Sequence, residues 1–420
     1  MAALGEWQNR KKDCAGRRMN SLGIYISVPF CRAKCSYCNF ASGVSSVSAH
    51  EQYVARVCAE IRSVRAVAGR DAAIPQQVDS IYLGGGTPSV LSPALIAEFG
   101  NTLRQEFAIA PGAEITLECA PGQLDDPALA AMLAFGVNRV SFGVQSLVDR
   151  EAAATGRFHT RAVVLRDLER VRSAGLCNLS IDLIAGMPHQ TAASWQESLE
   201  ALVATGVEHA SIYMLEIDED SRLGRELLAG GSRYHALTVP SEELTADLYE
   251  AAIAFLDDNG LRQYEISNFA RGQSQSRHNL KYWHRRPYLG FGLDAHSMVR
   301  TRNGSALRFS TGDVLDEYLR GDPTADVRQL SSSEELEEAW FLGLRLRAGV
   351  RWEAMAAEFG PDQVDVFLPV VEELCALELL TWELGVVRLT RRGVLFSNEV
   401  FARFLGVSQT GPEDLVIQIQ

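Results

Sequence analysis

Short apolar runs alternate with longer amphipathic stretches over the first half of the chain, and this alternation predicts repeated βα units. The runs lack a clean apolar–polar alternation, as is typical of strands buried on both faces of a parallel sheet. Six strands are predicted at 24–28, 80–83, 114–119, 139–144, 179–184 and 210–215. Intervening helices are predicted at about 48–68, 93–107, 127–135, 160–174 and 192–204. The fold class is therefore α/β, with a parallel sheet that is open or closed into a barrel.

The pattern changes after the sixth strand. An amphipathic helix at 237–258 is expected to cap the sheet, and helical spacing returns at 334–347, 352–359 and 364–376. Two short strand-like runs around Gly385 then resemble a small β-wing. We predict a large domain at 22–302 and a smaller helical, winged-helix-like domain at 303–405. The segments 1–21 and 406–420 are predicted to be loose tails, and the protein's start is hypothesised to lie at Met19.

Composition and charge narrow the class of protein. The chain has 420 residues, 47% of them hydrophobic and 22% charged, as in an ordinary globular protein. Its net charge of −13 argues against broad nucleic-acid binding, and 331–404 contains 13 acids against 7 arginines. No apolar run reaches the ~18 residues of a membrane span. Five cysteines are scattered without a framework, which predicts reduced thiols in the cytoplasm. They are Cys14, Cys58, Cys119, Cys177 and Cys375.

The other three cysteines form a cluster directly after the first predicted strand. Cys31, Cys35 and Cys38 have C-x3-C-x2-C spacing, which suits zinc or an iron–sulfur cluster. A structural zinc site would need a fourth ligand at a spaced position, and the chain contains no second C-x2-C. An iron–sulfur cluster with one iron open to an external ligand is the favoured interpretation.

Unusual residues also follow the next predicted strands, where a βα barrel gathers its chemistry. The second strand ends in three glycines and a threonine, and Gly85, Gly86 and Thr87 belong to this group. Glycines here allow the backbone to approach a ligand closely, and a plain turn is the alternative. Glu118 is a lone acid at the end of the third strand, and it needs a polar partner in a ligand or in a neighbouring loop.

The later strands continue this series. Gln145 ends the fourth strand, and Arg157 follows before a helix, as a carboxylate-binding fork or as a surface arginine. Asp182 is a lone acid in the fifth strand, and Glu216 follows the sixth.

A basic, aromatic segment at 271–302 is the second candidate site. It carries seven lysines and arginines against one acid, three histidines and several aromatic residues. Such a segment fits a flat dianionic ligand such as haem, because cations pair with carboxylates and His or Tyr can ligate iron. Single-stranded RNA and a plain solvated loop are the alternatives.

These motifs resemble those of the radical S-adenosylmethionine (SAM) superfamily, and over about 22–405 those of its HemN/HemW branch. The resemblance implies a partial (β/α)6 radical SAM barrel with a small C-terminal helical domain. It implies that Cys31, Cys35 and Cys38 hold three irons of a [4Fe–4S] cluster, and that SAM chelates the fourth. The residues matched to SAM contacts are Tyr25, Tyr37, Gly85, Gly86, Thr87, Glu118, Gln145, Arg157 and Asp182, with Glu216 in a SAM-proximal segment.

The branch contains an oxygen-independent coproporphyrinogen III oxidase and a haem chaperone. Phe40 stands where the oxidase has a further cysteine, and only about 20 residues precede the first strand, fewer than in the oxidase. The residues His278-Asn-Leu-Lys-Tyr282-Trp283 match the H-N-x-x-Y-W motif of the chaperone, which implies haem contacts by His278, Tyr282 and Trp283.

A haem chaperone is therefore the expected function, with the oxidase, which forms protoporphyrinogen IX, as the alternative. The implied partners are haem and haem-accepting proteins such as membrane-bound respiratory enzymes, with no nucleic acid. The expected state is a monomer or a dimer. A radical SAM enzyme acting on tRNA is disfavoured, because the acidic C-terminal segment does not resemble an RNA-binding module.

Overall fold

The computed structural model describes residues 21–321 and 327–407, so nearly all of the two predicted tails, and Met19, lie outside the described residues. Six strands that we label β1 to β6 are Leu22–Val28, Gln77–Gly85, Ala108–Cys119, Arg139–Gln145, Asn178–Ala185 and His209–Met214. Further strands are Ala72–Ala73, Arg262–Gln263, Asn268–Ala270, Tyr288–Phe291, His296–Thr301, Ala306–Ser310, Arg328–Gln329, Val350–Arg351, Leu380–Glu383 and Val386–Leu389.

Helices cover the outside of the sheet and form most of the C-terminal part. The α-helices are Val47–Val67, Pro93–Glu106, Asp126–Phe135, Asp149–Ala154, Arg161–Ser173, Ala192–Ala204, Arg222–Leu228, Glu242–Asp258, Arg277–Trp283, Leu315–Arg320, Ser332–Leu344, Trp352–Phe359, Pro361–Asp365, Leu368–Ala376, Arg391–Leu395 and Ser397–Ala402. Short 3-10 helices lie at Pro88–Val90 and Arg233–Thr238. Among the described residues, none of these helices combines the length and apolarity needed to cross a membrane.

The six predicted strands form one parallel sheet in chain order, which confirms the α/β fold class. Each of β1 to β6 pairs in parallel with the next. The antiparallel strand Asn268–Ala270 follows β6, so the barrel is partial and open. The carboxyl ends of these parallel strands lie at one edge of the sheet, where the candidate site is located.

A seventh parallel strand, Tyr288–Phe291, pairs with β1 on the side away from β2. It lies inside the predicted basic segment 271–302, which is thus an integral part of the sheet and not a solvated loop. The sheet then continues antiparallel through His296–Thr301, Ala306–Ser310 and Arg328–Gln329, past the boundary predicted at 302. The many charged residues of this region mask the apolar pattern of a strand that is only four residues long. The strand was therefore not predicted.

Along the strands, outward apolar residues alternate with inward polar or small residues more regularly than the sequence pattern indicated. In β4, Val140, Phe142 and Val144 point outward into the apolar core that the helices cover. The intervening residues point into the barrel and are polar or small, like Arg139 and Ser141. The barrel interior is therefore hydrophilic, and an apolar shell around it holds the fold together.

Local sequence signals set the helix ends. Thr191 and Ser194 form a capping box at the start of Ala192–Ala204. Proline occupies the first turn of Pro93–Glu106, and Gly136, with φ of 99°, ends Asp126–Phe135 in the left-handed region.

The C-terminal part packs around Trp340, which is fully buried and stacks on Phe404. The predicted wing forms as a hairpin of Leu380–Glu383 and Val386–Leu389. The helix predicted at 364–376 is instead two helices, because Pro369 in the first turn of the second lacks the amide that would continue the first.

A buried ion pair closes the amino-terminal end of the barrel. Lys281 is almost fully buried in the helix Arg277–Trp283, and its Nζ lies 2.6 Å from Oδ1 of Asp79 in β2. The same Nζ donates to the carbonyl of Ser21 at 3.1 Å.

We predict that Asp79→Ala lowers the free energy of unfolding by about 3 kcal/mol, because it leaves a buried ammonium without its carboxylate. Combining it with Lys281→Met should restore part of the loss. Urea denaturation measures both effects. Glu197→Ala, which breaks an exposed pair with Arg161, is the control and should cost less than about 1 kcal/mol. Equal losses in the two single variants would contradict the prediction.

Candidate functional site

A cavity of about 550 Å³ opens at the carboxyl ends of the parallel strands. It brings together every residue that the sequence assigned to the cluster or to SAM. These are Cys31, Cys35, Cys38, Tyr25, Tyr37, Gly85, Gly86, Thr87, Glu118, Gln145, Arg157, Asp182 and Glu216. The residues come from the ends of all six strands, so only the folded barrel assembles them.

The loop that carries the cysteines is fixed by backbone hydrogen bonds. Gly43 donates to Pro29 and accepts from Cys31, both at 2.9 Å, which closes the loop at its base. At its tip, Ser36 donates to Thr155 at 3.1 Å and accepts from Leu223 at 2.8 Å. The loop is therefore held between the segments that follow β4 and β6.

The three cysteines carry free thiols that all face the cavity. Burial raises the pKa of Cys31, while a hydrogen bond from Thr87 Oγ1, 3.6 Å from its Sγ, acts in the opposite direction. Within the described residues, no group of three His, Cys, Asp or Glu side chains converges on a point where one metal ion would sit. An iron–sulfur cluster makes a different demand, since each thiolate binds a separate iron. Three free thiols on one loop, facing one cavity, fit such a cluster.

The loop at the end of β2, which contains Gly86 and Thr87 and which we call the glycine loop, packs against the loop that carries the cysteines, the cysteine loop. Gly86 and Thr87 donate to the carbonyls of Val28 and Phe30, at 2.9 and 2.8 Å. A Cβ on Gly86 would lie 2.7 Å from the Val28 oxygen, closer than any side chain tolerates. Gly85, at a φ of 97°, lies beside the Tyr25 hydroxyl. The glycines are thus required because other groups lie close to their Cα atoms. At Gly86 these groups are backbone atoms of Val28 and Phe30, not a ligand.

Two acids form the floor of the cavity. Glu118 accepts a hydrogen bond of 2.7 Å from the Tyr82 hydroxyl, and burial raises the pKa of Glu118 to about 7. Asp182 accepts from the Ser141 hydroxyl at 3.1 Å, and burial raises its pKa as well. Both acids are therefore placed to accept a hydrogen bond or a positive charge from a ligand in the cavity.

Gln145 and Arg157 form a polar wall. Gln145 is not a glycine, yet it has a φ of 70°, and its buried Oε1 has no hydrogen-bond donor among the described residues. Arg157 donates from Nη1 to the Gly143 carbonyl at 2.8 Å and from Nη2 to the Tyr37 hydroxyl at 3.1 Å. Strain and an unsatisfied acceptor at a cavity wall are typical of a ligand site. The alternative of a surface arginine is not supported for Arg157, which lines the cavity.

Comparison with known proteins gives the context for this cavity. Residues 25–202 match the radical SAM superfamily, and residues 330–396 match the HemN C-terminal domain. A protein named heme chaperone HemW from Bacillus subtilis is 33% identical over 91% of this chain and 98% of its own length. The mitochondrial radical S-adenosyl methionine domain-containing protein 1 of Mus musculus is 34% identical over 88% of this chain and 84% of its own. The chain belongs to the HemN/HemW branch of the radical SAM superfamily.

A solved structure agrees at the level of the fold. Coproporphyrinogen III oxidase (HemN) from Escherichia coli superposes with a TM-score of 0.77 over 92% of this chain and 90% of its own, at 20% identity. Membership of the radical SAM superfamily implies a [4Fe–4S] cluster and SAM. The three thiols fit the cluster, and the unsatisfied Gln145 oxygen and the two acids, Glu118 and Asp182, fit SAM.

Sequence reasoning missed the polar groups below the cavity floor. Tyr82 and Ser141 hold the two acids, and Arg139 lies one inward position below Ser141 in β4. Arg139 is only 2% exposed, and its Nε has no hydrogen-bond partner among the described residues. Its positive charge opposes the effect of burial on the pKa of Glu118 and Asp182. The polar or small residues at every second position of 139–145 were the available signal.

The residues matched to haem contacts lie elsewhere. His278 is 1% exposed at the amino-terminal end of the barrel, where its Nδ1 lies 3.0 Å from Ser80 Oγ and its Nε2 2.7 Å from the Tyr282 hydroxyl. Burial lowers the pKa of His278 to about 3, so the ring is neutral. Trp283 packs under Arg345 of the C-terminal part, with the guanidinium 4.2 Å from the ring centre. None of the three lines the cavity, and their haem contacts stay a prediction.

We predict that Cys31→Ala, Cys35→Ala and Cys38→Ala each prevent assembly of the iron–sulfur cluster, because each removes the ligand of one iron. Iron and sulfide content after anaerobic reconstitution, with the visible absorption, measures the loss. Cys375→Ala, on a thiol outside the cavity, is the control and should keep full iron content. A full complement of four irons in any of the first three variants would contradict the assignment.

We predict a pH-dependent stabilisation by Glu118→Gln in protein without SAM. The folded pKa of about 7 lies above that of an unfolded glutamate, so the favourable contribution of Glu118 is complete below about 4.5 and is lost as the pH rises through 7. The gain in unfolding free energy should therefore grow between pH 5 and 8.5, by on the order of 3 kcal/mol. Urea unfolding at each pH measures it.

Glu250→Gln, on the exposed face of Glu242–Asp258, is the matched control and should show no such trend. A gain for Glu118→Gln that is equal at all pH values would show that Glu118 does not titrate in this range.

Proposed function

We propose that this protein is a haem chaperone that binds a [4Fe–4S] cluster, SAM and haem, and delivers haem to acceptor proteins in the cytoplasm. The observation that carries the proposal is the similarity to a protein named heme chaperone HemW, at 33% identity over 91% of this chain. The Escherichia coli protein of that name gives 29% identity over 92% of this chain.

The cavity supports the cofactor part of the proposal. Cys31, Cys35 and Cys38 would hold the cluster, which when bound leaves one iron open to the amino and carboxylate groups of SAM. Arg157 is the cation in the wall and would pair with the SAM carboxylate. Glu118 and Asp182 would accept from the ammonium or the ribose hydroxyls.

The alternative is the oxygen-independent coproporphyrinogen III oxidase, whose fold this chain shares. The oxidase needs the same cluster and SAM, so the cavity alone does not separate the two functions. The residue that separates them in the resemblance is Phe40, a 64% exposed phenyl group at the cavity where the oxidase has a cysteine. An apolar, unreactive group at this place supports a binding function.

We expect the reconstituted protein to bind about one haem per chain and to release it to a haem-free acceptor protein. A haem titration followed by absorbance, with and without SAM, measures the binding. In parallel, an anaerobic assay with coproporphyrinogen III, SAM and a reductant should yield no vinyl product. Product formation would favour the oxidase, and a protein that binds no haem would refute the chaperone.

A further inference from the structure

Two exposed phenyl groups line the cavity. They belong to Phe40 and Phe158, which are 64% and 79% exposed. We call these two residues the apolar rim. Large apolar groups gathered at the edge of a pocket are typical of a ligand or partner site.

The loops that carry the rim are tied to one another. The Tyr37 hydroxyl accepts from Arg157, which directly precedes Phe158, and Ser36 donates to the carbonyl of Thr155. The two phenyl groups are thus held on joined loops at one opening. A surface that is fixed in this way loses little conformational entropy when a rigid ligand binds to it.

Basic residues without acidic partners lie on the same loops. Arg32, Lys34 and Arg222 form no ion pair with any described residue. Four acids also lie on the segment after β6, at 216–220, and one of them, Asp218, accepts from Asn39 at 2.8 Å. Lys34 donates to the carbonyl of Phe40 at 3.0 Å, and Arg222 donates to the carbonyl of Lys34. Cations next to exposed phenyl groups complement a ligand with an apolar ring and carboxylate arms, which is the chemistry of an iron porphyrin.

The residues of 278–283, in contrast, are already engaged inside the protein. To ligate iron, His278 would have to give up its contact with Tyr282 or Ser80, both of them inside the barrel. Trp283 and the neighbouring Arg285 contact the C-terminal part, where Arg285 donates to both oxygens of Glu358 at 2.8 Å. This segment closes the barrel and joins it to the C-terminal part.

We infer that the haem cargo is held at the apolar rim, with its ring against Phe40 and Phe158 and its propionates toward Lys34 and Arg222. The segment 278–283 then has a structural role, in which it packs the barrel against the C-terminal part. The inference rests on the proposed function and specifies where that function takes place. It also places haem over the opening of the cavity that is proposed to bind SAM.

The test is a haem titration of reconstituted full-length protein, with haem b and with iron-free protoporphyrin IX as probes. The double variant Phe40→Ser/Phe158→Ser should raise the Kd for both probes at least tenfold, because the ring loses its apolar contacts. Lys34→Gln/Arg222→Gln should raise it about three- to tenfold. The matched control is Leu384→Ser, at a 97% exposed apolar residue of the C-terminal hairpin turn, and it should bind as the original protein does.

Tyr282→Phe, which keeps the ring and removes the contact with His278, should lower thermal stability and leave the Kd within about threefold. His278→Ala adds a second variant of the same segment, and should behave likewise wherever it folds. If Tyr282→Phe loses haem while it keeps its fold and SAM affinity, haem binds at 278–283 and the inference is wrong.

Two further outcomes also overturn it. Rim variants that bind haem normally but fail to pass it on would make the rim a docking surface for the acceptor. Rim variants that bind and transfer haem normally would leave the rim without a role. In both cases the proposed function stands, whereas an original protein that binds no haem refutes the function itself.

Discussion

The contact between the glycine loop and the cysteine loop is the constraint on which the site depends. Both loops leave the sheet from adjacent parallel strands, and two amide-to-carbonyl hydrogen bonds from Gly86 and Thr87 hold them together. They can form only because Gly86 has no side chain. The position of the thiols is thus set by backbone geometry, which does not depend on the side chains of the cysteine loop itself.

The hydrophilic barrel interior is the second determinant of the site. Acids, hydroxyls and Arg139 occupy the inward positions, while the outward positions of the same strands are apolar. Burying these polar groups costs free energy, which the apolar shell has to offset. In return, the carboxyl end of the barrel holds fixed polar partners for a charged ligand. The outward face of the strands therefore stabilises the fold, and the inward face presents polar groups to a ligand.

The sequence predicted the six main strands because each is an apolar run long enough to be read by itself. It also predicted the cavity residues, since topology alone brings the carboxyl ends of parallel strands together. It did not predict which side chains each residue contacts. The motif match at His278 and Trp283 does not show that Ser80, Tyr282 and Arg345 contact these side chains in the folded protein. Their haem contacts stay a prediction.

The pairing of β1 with Tyr288–Phe291 has a consequence for how the protein is made. The strand that leads into the cysteine loop has neighbours on both edges, yet one of them is encoded more than 250 residues later. While the chain emerges from the ribosome, this edge of β1 has no partner until about 70% of the 420 residues have been synthesised. Pairings between such distant segments form slowly. We therefore expect the cysteine loop to reach its final shape late in biogenesis, so that metal loading follows translation and does not accompany it.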